Sequence, residues 1–187
     1  MKRLLLAPAV VCGLALGLSA PAHAQISLFS EPSMMKAVTQ NDTATLKGLL
    51  LKGENPNQTD INGRTPLQIA IGAGNSEMVR LLLDGGAQVN RADKAGNTPL
   101  LAAAEAGDAT VVDLLLKKGA KVDQDNREGL TPLMAAARGG RADIVDRLLK
   151  AGAKVDRADF TGRTALTWAQ EGRNARVTTL LRGAGAK

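Results

Sequence analysis

The chain has 187 residues with 24 Lys and Arg, 18 Asp and Glu, one His, one Cys and three aromatic side chains, none of them Tyr. So few aromatics, with no Tyr among them, argue against a base-stacking nucleic-acid binder, and a single cysteine excludes a disulfide framework within the chain. The length suffices for one packed domain, whose core must be built from Leu, Val, Ile, Met and Ala.

Residues 1–24 read as a secretory signal peptide. Lys2-Arg3 supply a short basic region, Leu4 to Ala20 an apolar run, and Ala22-His23-Ala24 a small-x-small cleavage site before Gln25. Pro8, Gly13, Gly17 and Ser19 interrupt the run, which is about the minimum length of a membrane span. The expected location is therefore the periplasm or the exterior, with no membrane integration after cleavage. Cys12 and His23 leave with the signal, so the mature chain has no thiol and no imidazole. Ser-His-Asp, Cys-His and thiolate-zinc chemistry go with them. Neither an enzyme nor a bound cofactor is expected.

Residues 25–30 form a lead-in without periodicity. A degenerate unit over 31–59 follows, with Met34, Ala37, Leu49, Leu50 and Gly53 in register and a polar side made by Lys36, Gln40, Asn41 and Lys47. Such a unit suits a terminal cap, whose outer face meets water. The first full unit spans 60–92. Thr65 is placed as helix N-cap, Pro66 as first helical residue, and Gln68 at capping-box spacing. Gly74-Asn75 turns the chain into a second helix around Glu77 to Leu83, which Gly85-Gly86 stops.

The motif Thr65-Pro66-Leu67-Gln68-Ile69-Ala70 then returns as Thr98-Pro99-Leu100-Leu101-Ala102-Ala103, Thr131-Pro132-Leu133-Met134-Ala135-Ala136 and Thr164-Ala165-Leu166-Thr167-Trp168-Ala169. The step is 33 residues each time, giving units 93–125 and 126–158 and a C-terminal cap over 159–187. Asp60, Asp93, Asn126 and Asp159 precede the motif, where such side chains accept turn backbone hydrogen bonds. Gly63, Gly96, Gly129 and Gly162 open the turn. A strict period of this kind marks stacked units that cannot bury their apolar faces alone.

This pattern resembles the ankyrin repeat over roughly residues 31–187. The resemblance implies an all-α solenoid of helix-turn-helix units joined by β-turn tips at a right angle, with a concave binding face. It further implies a non-enzymatic module for a protein partner, expected to be a monomer. The histidine usual after Thr-Pro-Leu is missing. Gln68, Leu101, Met134 and Thr167 hold its place, which puts the hydrogen bonding between units in question.

The family's binding positions fall here on turn tips and on the exposed side of each first helix. The candidate partner-binding residues are Ile61, Arg64, Lys94, Glu105, Arg127, Leu130, Arg138, Phe160 and Arg163. Ile61, Leu130 and Phe160 are expected to be exposed apolar anchors between arginines, a combination favoured at interaction hot spots. Trp168 is expected to pack within the terminal cap. The second reading rests on charge: residues 25–126 carry 10 basic and 12 acidic side chains, and 127–187 carry 12 and 6. The basic C-terminal half would then dock an anionic envelope surface or polymer. Asp123 to Gly129 fails calcium-loop spacing, and Gly72-Ala73-Gly74 lacks the third glycine of a nucleotide loop, so neither metal nor nucleotide is expected.

Overall fold

The structure, a computed structural model, describes residues 33–187. The signal peptide, its cleavage after Ala24 and the lead-in lie outside the described residues. Ten helices follow in five pairs: α1 (Ser33–Thr39) with α2 (Thr43–Leu51), α3 (Pro66–Gly72) with α4 (Ser76–Asp84), α5 (Pro99–Ala106) with α6 (Ala109–Lys117), α7 (Pro132–Arg138) with α8 (Ala142–Lys150), and α9 (Ala165–Glu171) with α10 (Ala175–Gly183). Among the described residues there is no strand, only an isolated bridge between Ala158 and Thr164.

Each full unit starts its first helix with the same local chemistry. The hydroxyls of Thr65, Thr98, Thr131 and Thr164 accept from the backbone N–H three residues on, at 3.2–3.3 Å. That satisfies one of the N-terminal donors a helix leaves open. Pro66, Pro99 and Pro132 take the first helical position, where the missing N–H costs nothing. Gln68 closes a full capping box with Thr65. Asp42, Asn75 and Asp108 cap the second helices, whereas Arg141 and Asn174 stand at the starts of α8 and α10 without a side-chain cap bond. Asn174 instead donates to the carbonyls of Ala137 and Arg138, tying the last unit to the one before.

First helices stack on first helices (α1, α3, α5, α7, α9) and second helices on second helices, forming two layers around one elongated core. Small residues thin the first layer. Ala103, Ala104, Ala135, Ala136 and Ala137 are fully buried there, while the second layer supplies Met78, Val79, Leu82, Val112, Leu115, Ile144, Val145 and Leu148. Small side chains let backbones approach closely, so dispersion contacts compensate for the scarcity of aromatics.

Polar bonds fix the stacking register along both edges. At the tips, the N–H of Lys94 donates to Asn62 O (3.0 Å), that of Arg127 to Ala95 O (3.1 Å) and that of Phe160 to Glu128 O (3.0 Å). At the other edge Asn57 bridges Gly86 and Gln88 of the next unit, and Asn90 does the same with Gly119 and Lys121. Glycine is required where the tips meet. A Cβ on Gly96 (φ 86°) or Gly129 (φ 78°) would lie 2.9 Å from the backbone nitrogen of Arg127 or Phe160.

Candidate functional site

The face lined by turn tips and first helices is assembled from the turn-opening residues upward. In each turn one side-chain oxygen accepts two backbone N–H groups. Asp60 takes those of Asn62 and Arg64, Asp93 those of Ala95 and Asn97, Asn126 those of Glu128 and Leu130, and Asp159 those of Thr161 and Arg163, all at 2.8–3.0 Å. The clasp leaves the intervening side chains facing outward. One exposed row of tip residues results: Ile61, Lys94, Arg127 and Phe160, each 33 residues from the next. A parallel exposed row runs along the first helices as Gly72, Glu105, Arg138 and Glu171.

Between the rows lies a groove with two adjoining segments. One, of about 370 Å³, is lined by Lys94, Leu101, Glu105, Arg127, Leu130 and Arg138 among others. The other, of about 530 Å³, is lined by Arg127, Leu130, Arg138, Phe160, Arg163 and Trp168 among others. The segments share Arg127, Glu128, Leu130 and Arg138, so they are continuous. Seven of the nine candidate residues line the groove; Ile61 and Arg64 lie at the first tip, outside it. Arg64 is folded back on Asp60, with Nε at 2.9 Å from the carboxylate.

Leu130 departs from its expected exposure. It is 4% exposed and belongs to the core, whereas Ile61 and Phe160 are 87% and 76% exposed. The reason lies in its register position, occupied in other units by Arg64, Asn97 and Arg163. Those side chains have a polar end to hold toward water or the turn carboxylate; leucine has none and sinks to the groove floor. Its backbone is pinned there by exchange with Asn126, which donates its N–H to Leu130 O and accepts from Leu130 N.

Trp168 lines the groove as well as packing on the terminal unit. Its indole Nε1 donates to Asp159 Oδ2 at 3.1 Å, and the Arg163 guanidinium lies over the ring at 3.7 Å from its centroid. The Arg138 guanidinium also faces the ring, at 5.3 Å. Such stacking orients cations against an aromatic face. Asp159 is the buried member of this group. Burial alone would raise its carboxyl pKa, but donation from the Thr161 hydroxyl, the Arg163 and Thr161 backbone and Trp168 outweighs that and holds it at about 2. Nothing in the spacing of Asp159 and Trp168 announces this bond, because it depends on which way the first helix turns its indole.

Charges on the helix row are largely neutralised within the protein. Arg138 pairs with Glu105 at 2.5 Å across two units, and Arg163 lies 3.8 Å from Glu171. Lys94 and Arg127, on the tip row, make no side-chain hydrogen bond or ion pair among the described residues. The place of the family's histidine is also resolved. Gln68 Nε2 donates to Asn97 O of the next unit at 2.6 Å, so a bond between units survives there, while Leu101 and Met134 replace it by buried packing. Thr167 instead pairs with the Thr164 hydroxyl at 3.2 Å.

A family model described as ankyrin repeats (3 copies) matches residues 34–126 and 121–187. The chain belongs to the ankyrin-repeat family. Ankyrin repeats generally serve as protein–protein interaction modules and are typically non-enzymatic binding scaffolds. A search of curated proteins returns no match. Among the described residues of this ankyrin array no helix is long and apolar enough to cross a membrane.

Proposed function

We propose that this ankyrin protein is exported and binds a protein partner through the groove between its tip row and its first-helix row. The carrying observation is a continuous groove, floored by Leu130 and walled by Phe160, Trp168 and arginines, with Phe160 exposed at its edge and Ile61 exposed beyond it on the same tip row. Aromatic and arginine side chains on a rigid, pre-organised support are efficient anchors, since little freedom is lost on docking. The basic start, apolar run and small-x-small site of the N-terminal sequence support export.

The test is affinity capture from the envelope fraction of the exporting cell. Wild-type protein is compared with an Ile61→Asp, Phe160→Asp double variant. Both positions are solvent-facing, so the variant should keep its circular dichroism spectrum and melting temperature; Leu130→Asp would instead strike the core. A discrete protein retained by wild type and lost by the variant is the expected result, together with a processed N-terminus at Gln25. The anionic-surface alternative draws on Arg173, Arg176 and Arg182 of the last unit. Part of the basic excess is already paired to the preceding units, as Arg147 with Asp113 (3.6 Å) and Arg157 with Asp125 (2.8 Å). Retention of anionic lipid or polymer by both proteins, released by moderate salt, would favour that alternative.

A further inference from the structure

The tip row has an order as well as a location. From first tip to last it reads apolar, basic, basic, apolar: Ile61, Lys94, Arg127, Phe160. All four are exposed and register-equivalent, and the hydrogen bonds between tips make the row a rigid ruler. Among the described residues Lys94 and Arg127 are the groove's unpaired cations, beside one unpaired acid, Glu128, whereas Arg138 and Arg163 are committed to Glu105, Asp159 and Glu171. An unpaired charge flanked by partner-satisfied ones is where an incoming opposite charge gains most.

The spacing of the row selects the conformation of what it reads. Successive units are in direct helix-to-helix contact, and packed helices lie about 8–10 Å apart, so the tips repeat on that scale. A polyproline-II segment has three residues per turn and a rise of about 3.1 Å, which returns a side chain to one face every ~9 Å. A β-strand cannot do this at a three-residue spacing, because its side chains alternate between faces. An α-helix returns a side chain to one face about every 5.4 Å, or about 10.8 Å over two turns, and neither repeat falls within about 8–10 Å.

Building on the proposed function, we infer that the tip row recognises an extended, polyproline-II-like segment of a partner protein that reads apolar-x-x-acid-x-x-acid-x-x-apolar. Its two carboxylates meet Lys94 and Arg127, and its apolar ends meet Ile61 and Phe160. The pattern is the same in either chain direction, so the row sets register and not polarity.

Two dye-labelled peptides of one composition test this by fluorescence anisotropy against the purified protein. The matched peptide is Leu-Pro-Ala-Glu-Pro-Ala-Glu-Pro-Ala-Leu, and the rearranged one is Glu-Pro-Ala-Leu-Pro-Ala-Leu-Pro-Ala-Glu. The matched peptide is expected to bind about tenfold tighter or better, the difference that misplacing two charges and two apolar anchors should produce. A Lys94→Glu, Arg127→Glu variant should lose that preference and select instead a matched peptide with Lys at both acidic positions. Equal binding of the two isomers, or binding of neither, overturns the inference. If the envelope capture still depends on Ile61 and Phe160 in that event, the face binds a protein of other chemistry; if it does not, the proposed function fails too. Charge-dependent binding of phosphatidylglycerol vesicles with neither peptide bound would assign the row to an anionic surface and likewise overturn the inference.

Discussion

At the scale of single residues, Asp159 concentrates more interactions than any other side chain of the candidate face. It clasps the last turn, receives the Trp168 indole and lies 3.4 Å from Arg163 Nε. Its folded-state pKa of about 2 lies below the ordinary 3.8, so it contributes stability that is fully present above pH 4 and lost as pH falls from about 4 to 2. The shift corresponds to about 2 kcal/mol at neutral pH. Asn126 performs the same backbone clasp without a charge, so Asp159→Asn should retain the turn. We expect the variant to be less stable at neutral pH and to show a flatter stability profile between pH 4 and 2. Urea unfolding followed at several pH values checks this, and an unchanged acid slope would remove Asp159 from the account.

At the scale of elements, the loop between paired helices holds one position in the left-handed region in every unit. Gly74, Gly107 and Gly140 occupy it with φ between 68° and 84°, but Asn41 and Arg173 stand there with φ of 58° and 54°. Asparagine tolerates that conformation; arginine does so only at the cost of a crowded Cβ. The Arg173 side chain makes no hydrogen bond or ion pair among the described residues to offset it. Arg173→Gly should therefore stabilise the protein by about 0.5–1 kcal/mol, net of the greater unfolded-state freedom of glycine. A raised urea midpoint with unchanged m-value is the expected readout, and a lowered midpoint would mean that the arginine makes a compensating contact.

For the molecule as a whole, stability should be distributed by position in the stack. Among the described residues, α5 and α7 are covered by units on both sides, whereas α10 packs chiefly on α9 and on α8 of the preceding unit and exposes Arg176, Thr179 and Arg182. Arrays of this kind open from their ends, because an end unit breaks one interface and an interior unit two. Amide hydrogen exchange read by mass spectrometry should be slowest in α5 and α7 and fastest in α10. Uniform protection along the chain would show that the array opens as one cooperative block. The groove spans the second to fourth tips, so its Lys94 and Arg127 segment rests on interior units while its Phe160, Arg163 and Trp168 wall belongs to the end unit.

Much of this protein was legible without coordinates because its determinants are local and repeated. Threonine caps, prolines at the first helical position and turn-opening Asp or Asn act within a few residues of themselves, so a period of 33 was enough to place every helix pair of the full units. The capping box of Thr65 and Gln68 needed only their spacing. What depended on neighbours in space was not legible. Leu130 occupied an apparent tip position, yet its burial follows from the groove floor beneath it. Gln68 kept a bond between units that the absent histidine had left in question, because the Asn97 carbonyl happens to lie within its reach. Trp168 gained Asp159 and two arginines through the direction of one side chain. Local periodicity determined the units and their order; the tertiary structure decided which polar groups were consumed by stacking and which, Lys94 and Arg127 above all, were left facing outward.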